Sequence, residues 1–286
     1  MIHVAFYVCF LPLSEAFDDF QIANRIYGGQ PIDISSVPYQ VSLLLRGSHT
    51  CGAAIILPNF VVTAAHCTQG ENVFSLSVRA GSNFVDQDGE VVDVVAKKEH
   101  EQFNVAAQFD SDICLLMLSK NLIFGNTVAS IPVIRDNVEL LSGDVGIATG
   151  WGKNWLHSSL SPKLRQASFI PLDPSHCMNL GWELTINMLC MGGFNGQSTC
   201  YGDSGGPLAV EGTLVGLTSF GREIFCKSPA VFTKVAKFTP WLRWNIKNME
   251  NTMDNRIVLI TIIELFFDFY KNLIFFIQNV KSILFS

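Results

Sequence analysis

The sequence is short of charge: only 15% of its 286 residues are Asp, Glu, Lys or Arg, and Lys and Arg together number 19 against 25 Asp and Glu. With a net charge of -6 there is no basic surplus to neutralise phosphates, so neither a nucleic-acid partner nor an anionic lipid surface is expected. No run reaches the 18 or so uncharged apolar residues of a membrane helix, and no stable membrane span is expected. No paired C-x-x-C spacing supports zinc, no N-x-S/T acceptor predicts N-glycosylation, and no internal repeat or low-complexity linker divides the chain. What is present is 49% hydrophobic residues, enough to bury one large core or two modest ones and to exclude wholesale disorder.

The two ends differ from the middle. Residues 1–16 hold an apolar stretch closing on Ser14-Glu15-Ala16, the small-x-small form of a signal-peptidase site, so a secreted, extracellular protein is expected; removal of this segment takes Cys9 with it and leaves seven cysteines in an oxidising setting. Residues 247–286 are rich in Ile, Phe, Leu, Asn and Lys and contain no Gly or Pro. As a helix this extension shows a narrow polar stripe on a wide apolar body, fitted to a membrane interface or an intermolecular groove; AT-rich translated sequence beyond the domain accounts for it equally.

Residues 26–246 read as all-β. Short apolar runs, Tyr39 to Leu45, Ala53 to Thr63, Phe74 to Ala80, Ile113 to Leu118, Val145 to Thr149, Pro207 to Val210 and Thr213 to Ser219, alternate with turn-forming clusters, as in barrels or sandwiches. One helix is expected, near Phe238 to Lys247.

Three separated strings carry chemistry. His66 stands among small residues in Thr63-Ala-Ala-His-Cys67 and by itself reads as a core histidine. Ser204 stands in Gly202-Asp-Ser-Gly-Gly-Pro207, where glycines let a hydroxyl point into a cleft and backbone N–H groups approach a ligand. Asp112 opens an apolar strand in Asp110-Ser-Asp-Ile-Cys-Leu-Leu116 and alone could merely cap a turn. The α/β-hydrolase elbow shares a G-x-S-x-G string, but there the histidine follows the serine, whereas here it precedes it.

In this order, and with Gly150-Trp-Gly152, Cys51-Gly52 and the closing Phe232-Thr-Lys-Val with Trp241, the strings resemble the chymotrypsin-type serine proteases, over roughly Ile26 to Ile246. Ser198-Thr-Cys200 and Thr218-Ser-Phe-Gly221 are most similar to arthropod digestive chymotrypsin-like enzymes. The resemblance implies two six-stranded antiparallel Greek-key barrels with a C-terminal helix and an active site in the crevice between them. It implies catalytic His66, Asp112 and Ser204, oxyanion donors on Gly202 and Ser204, and a supporting Ser219. It also implies an activation cut after Arg25, removing residues 17–25 so that the Ile26 ammonium pairs with Asp203. Tyr27 departs from the usual Val of that junction.

Disulfides Cys51 with Cys67, Cys177 with Cys190 and Cys200 with Cys226 follow from the likeness, while six cysteines by themselves permit fifteen pairings. Cys114 is left as a buried thiol. By the same likeness Ser198 forms the base of the substrate pocket, beside Ser219, Phe220, Gly221 and Ala230. With no carboxylate at that base, cleavage after Lys or Arg is disfavoured, and cleavage after Leu, Met, Phe or Tyr is expected. Ala230 replaces a common Gly and makes the pocket shallower by about one methyl. No metal or cofactor is expected, Asp86, Asp88 and Glu90 reading as a solvated acidic turn rather than a calcium loop. The expected partners are protein or peptide substrates, an activating protease and protein inhibitors. The competing functional class is a secreted, catalytically silent protease homologue that acts by binding.

Overall fold

The computed structural model of the chain describes residues 28–153, 159–222 and 226–254. The expected signal segment 1–16, the propeptide 17–25 with Arg25, the new terminus at Ile26 and the extension beyond 254 lie outside the described residues.

Thirteen strands are described: β1 (Gln30–Pro31), β2 (Gln40–Leu45), β3 (Ser48–Leu57), β4 (Phe60–Thr63), β5 (Leu76–Ala80), β6 (Glu90–Glu99), β7 (Cys114–Leu118), β8 (Gly146–Gly150), β9 (Arg165–Pro171), β10 (Met188–Gly193), β11 (Pro207–Val210), β12 (Thr213–Arg222) and β13 (Lys227–Lys234). The first barrel closes in the order β2-β3-β4-β7-β6-β5. The second runs β9-β10-β13-β12-β11-β8 and closes because β8 pairs with both β9 and β11; β1 adds to the outer edge of β9. All strand pairings are antiparallel.

The strands joining the barrels explain why their sequences are apolar throughout rather than alternating. In β4 and β7, Val61, Leu116 and Leu118 point into the first barrel with Val41, Leu43, Ile55 and Val78. Their neighbours Phe60, Val62, Leu115 and Met117 face the other way, into a shared core with Phe169, Leu208, Leu217 and Phe232 of the second barrel. Both faces of these strands are therefore dry. Each large aliphatic or aromatic side chain so buried contributes about 1.5 to 3 kcal/mol, so the seam fixes how the barrels face each other.

The expected strand across Ala53 to Thr63 is two strands, because Pro58-Asn59 turns the chain between Leu57 and Phe60. Strands β6, β9, β10 and β13 were not foreseen. Helix α1 (Ser175–Met178) is a single turn that carries Cys177 of the Cys177–Cys190 disulfide, and helix α2 spans 239–254. Along α2, Leu242, Ile246, Met249 and Met253 recur at helical steps and pack on the inter-barrel core, with Phe238 just before it.

Candidate active site

Strand β4 ends at Thr63, and two fully buried alanines, Ala64 and Ala65, let the chain tighten into a 3-10 turn that carries His66. The Cys51–Cys67 disulfide ties that turn to β3. Asp112 arrives from the segment preceding β7, where Phe109 and Ser111 both hold positive φ, 61° and 55°. Its carboxylate is fully buried. Oδ1 accepts the His66 backbone N–H at 2.9 Å, and Oδ2 accepts from His66 Nδ1 at 2.7 Å and from the Ser219 hydroxyl at 2.6 Å. Thr233 adds a bond to the Asp112 carbonyl at 2.7 Å. Because a carboxylate only accepts, Nδ1 must carry a proton, and neutral His66 then offers a bare lone pair at Nε2.

Ser204 sits on a loop made by glycines. Gly205 has φ +72°, and a Cβ there would stand 2.1 Å from Thr63 Oγ1. The loop is stitched to both barrels: Gly52 N–H donates to the Ser204 carbonyl at 2.8 Å, and Gly205 N–H donates to Thr218 O at 2.7 Å. Next to it, Gly202 holds φ +94°, and its carbonyl accepts from His49 Nε2 at 2.9 Å. His49 Nδ1 in turn faces the Ser42 hydroxyl at 2.7 Å. Burial pushes the His49 pKa down, so a neutral ring donates to the carbonyl and accepts from Ser42.

Asp203 is buried behind this loop. It accepts N–H bonds from Gly152 at 2.8 Å and Cys200 at 2.9 Å, yet desolvation outweighs them and raises its pKa to about 7. A Cβ on Gly150 or Gly152 would collide with that carboxyl, at 2.2 and 2.3 Å. The Gly150-Trp-Gly152 string is thus the wall against which Asp203 rests.

His66, Gly202, Ser204, Ser219, Phe220 and Gly221 line one cleft of about 420 Å³. Ser198 and Ala230 do not line it; they are almost completely buried, the Ala230 methyl lying 3.8 Å from where a Cβ on Gly221 would be. The three disulfides have the implied pairing, and Cys114 is a buried free thiol whose pKa burial pushes up to about 12. Among the described residues, the one set of His, Cys and acidic ligand atoms close enough to share a metal is Cys51, His66 and Cys67, and both sulfurs are already bonded to each other.

Several contributors were not foreseen. Phe109 meets His66 edge-on at 5.4 Å and stacks on Phe220 at 5.3 Å, which in turn meets Trp182 at 5.5 Å. His49 and Thr233 were likewise missed. These residues bear no motif, and only the fold brings them to the site.

Two barrels framing a buried acid, an oriented imidazole and a serine on a glycine-built loop define a serine hydrolase of the two-barrel kind. The Trypsin family matches residues 26–242, and the chain belongs to that family. It is similar to a vitellin-degrading protease of Bombyx mori, at 37% identity over 233 residues, covering 79% of this chain and 87% of that protein. Trypsin alpha of Drosophila melanogaster is 36% identical over 228 residues, covering 78% and 88%. Among solved structures, neuropsin, a serine protease expressed in the limbic system of mouse brain, superposes with a TM-score of 0.69 at 28% identity, covering 76% of this chain and 98% of that one. The protein is a serine endopeptidase, its substrates are proteins or peptides, and among the described residues no helix is long and apolar enough to cross a membrane.

Proposed function

We propose that the protein is secreted as a zymogen and, once cut after Arg25, hydrolyses peptide bonds following large apolar residues through an acyl-enzyme. The observation that carries this reading is the His66–Asp112 pair opening onto the same cleft as Ser204.

In the first step His66 Nε2 takes the Ser204 proton as Oγ bonds to the scissile carbonyl carbon. Asp112 holds the tautomer and stabilises the imidazolium, and Ser219 keeps Asp112 in place. The carbonyl oxygen becomes an oxyanion facing the N–H groups of Gly202 and Ser204, each donor worth roughly 10² to 10³ in rate. Collapse breaks the C–N bond, and His66 returns the proton to the leaving amine. Water, deprotonated by the same imidazole, then cleaves the ester and restores Ser204.

The unusual ionisation of Asp203 supports the activation step. A carboxyl that burial holds at about 7 gains most from a cation delivered beside it, and the Ile26 ammonium supplies one. For specificity, Ser198, next in the chain to the cleft-lining Thr199, carries a hydroxyl rather than a carboxylate, and its Oγ is buried without a bonding partner, so no anion there offsets the burial of a Lys or Arg charge. The test is to cut the precursor at Arg25 in vitro, sequence the new terminus and profile the product on a peptide library. Cleavage after Leu, Met, Phe and Tyr, starting only when Ile26 is free, is expected. A profile dominated by Arg and Lys overturns the specificity, and full activity of the uncut chain overturns the zymogen.

A further inference from the structure

The segment that delivers Asp112 has an unfavourable backbone. Phe109 and Ser111 hold positive φ, 61° and 55°, on either side of Asp110, and non-glycine residues persist in that region only where their surroundings over-determine them. Here the surroundings converge on the Asp110 carboxylate, which is almost completely buried and is not part of the cleft lining. Oδ1 accepts from the Thr185 hydroxyl and from Asn187 Nδ2 at 3.0 Å, and Oδ2 accepts from the Ser111 hydroxyl at 2.8 Å. Asn187 Nδ2 also lies 3.3 Å from Ser111 Oγ, which closes the network.

Two of these donors come from the other barrel. Thr185 and Asn187 lie just before β10, where Asn187 N–H donates to Thr185 Oγ1 at 3.2 Å. The Asn187 carbonyl accepts at 2.8 Å from the N–H of Lys234, the last residue of β13. On its own side, Asp110 N–H donates to Ala107 O and its carbonyl accepts from Asn104 N–H, each at 3.0 Å. Asp110 thus ties the excursion between β6 and β7 to the entrance of a second-barrel strand. The tie falls two residues before the acid that must meet His66 of one barrel and Ser219 of the other. Burying a carboxylate carries a desolvation cost that a pair of packed apolar side chains would avoid. Its advantage is direction, since several donors converging on one carboxylate fix both the position and the rotation of the segment.

We infer that Asp110 is a positioning residue of the catalytic machinery: its carboxylate fastens the Asp112 segment to the second barrel and so sets the reach of Asp112 to His66 Nδ1 and Ser219. The inference rests on the proposed role of Asp112 as the group that orients His66, and adds to it a residue that touches neither substrate nor imidazole.

The test uses the full chain cut at Arg25 and an amide peptide with Leu before the scissile bond, with rates taken per fluorophosphonate-reactive chain so that misfolded protein does not count. Asp110→Ala is expected to lower kcat about 10²-fold while KM stays within about threefold. Asp110→Asn turns its oxygen to Thr185 and Asn187 and its amide to the Ser111 oxygen, and should restore kcat to within about threefold of the parent. Thr185→Val, which leaves the Ser111 and Asn187 bonds in place, should cost about tenfold. The decisive comparison is the Asp112→Asn background, where Asp110→Ala should lower kcat by no more than about threefold further, because the group through which it acts is already gone. A parental kcat in Asp110→Ala, whatever its Tm, overturns the inference and leaves Asp110 as a purely structural tie. An undiminished loss in the Asp112→Asn background overturns it as well. If Asp110→Ala yields no folded protein, Thr185→Val, alone and combined with Asp112→Asn, decides by the same criteria. Failure of Asp112→Asn itself to lower kcat removes the role of Asp112 and the inference together, and is recognised by that variant alone.

Discussion

Three residues carry the recognisable chemistry, and each could be read because its side chain and its neighbours are both restrictive: His66 among alanines, Ser204 among glycines, Asp112 at the head of a wholly buried strand. Phe109, His49 and Thr233 could not, since an ordinary aromatic, an isolated histidine and a strand threonine acquire meaning only from what the fold sets beside them. Asp203 stood in the motif, but its ionisation did not, because desolvation depends on the Gly150 and Gly152 backbone lying against it. That ionisation gives a pH prediction. The folded pKa, about 7, exceeds the ordinary 3.8, so between these values the folded chain binds more protons than the unfolded one. Asp203 therefore contributes stability that is fully present below about pH 4 and is lost as pH rises to about 7, by up to about 4 kcal/mol. Thermal unfolding of the uncut precursor should show Tm falling over that range, and Asp203→Asn should flatten the dependence. An Asn variant whose profile matches the parent would show that Asp203 is not the group responsible.

At the level of elements, strands whose two faces are both buried announce themselves as apolar runs, which is why β7 and β11 are expected close to where they lie, while β4 is merged with β3 because both are apolar up to the Pro58-Asn59 turn. Strand β6, Glu-Val-Val-Asp-Val-Val-Ala-Lys-Lys-Glu, has only Val92 and Val94 fully buried, so its charged ends masked it. Strand β13 is hidden by Lys227-Ser-Pro at its start and by its short apolar centre, Ala230-Val-Phe232, before Thr233 and Lys234. The pairing of β12 with β13 sets Gly221, which lines the cleft, opposite Ala230. Ala230 is fully buried behind that lining, and under the proposed specificity its methyl limits the depth open to a bulky ring. With Ala230→Gly, the ratio of kcat/KM for a Trp-directed peptide to that for a Leu-directed peptide should rise about tenfold, the worth of one methylene in a tight pocket. Steady-state kinetics on the matched peptides measures it. An unchanged ratio would mean that the β12–β13 register does not set the depth of the pocket.

For the whole molecule, the decisive arrangement is that the first barrel supplies His66 and the approach to Asp112 while the second supplies Ser204 and Ser219. Function therefore depends on the Phe60, Leu115, Phe169 and Phe232 seam that holds the barrels in one orientation. The two-barrel architecture was legible only through the resemblance carried by the motifs. Periodicity alone left barrels and sandwiches undivided, because closure depends on β2 meeting β5 and β8 meeting β9, pairings that no local pattern records. Convergence of groups so far apart in sequence is the claim on which the rest depends, and covalent labelling examines it directly. Protein cut at Arg25, treated with a fluorophosphonate and digested for mass spectrometry, should carry one adduct per chain, on Ser204, and none after Ser204→Ala or when the protein is unfolded beforehand. An adduct on another residue, or labelling that persists in the Ser204→Ala protein, would contradict the account.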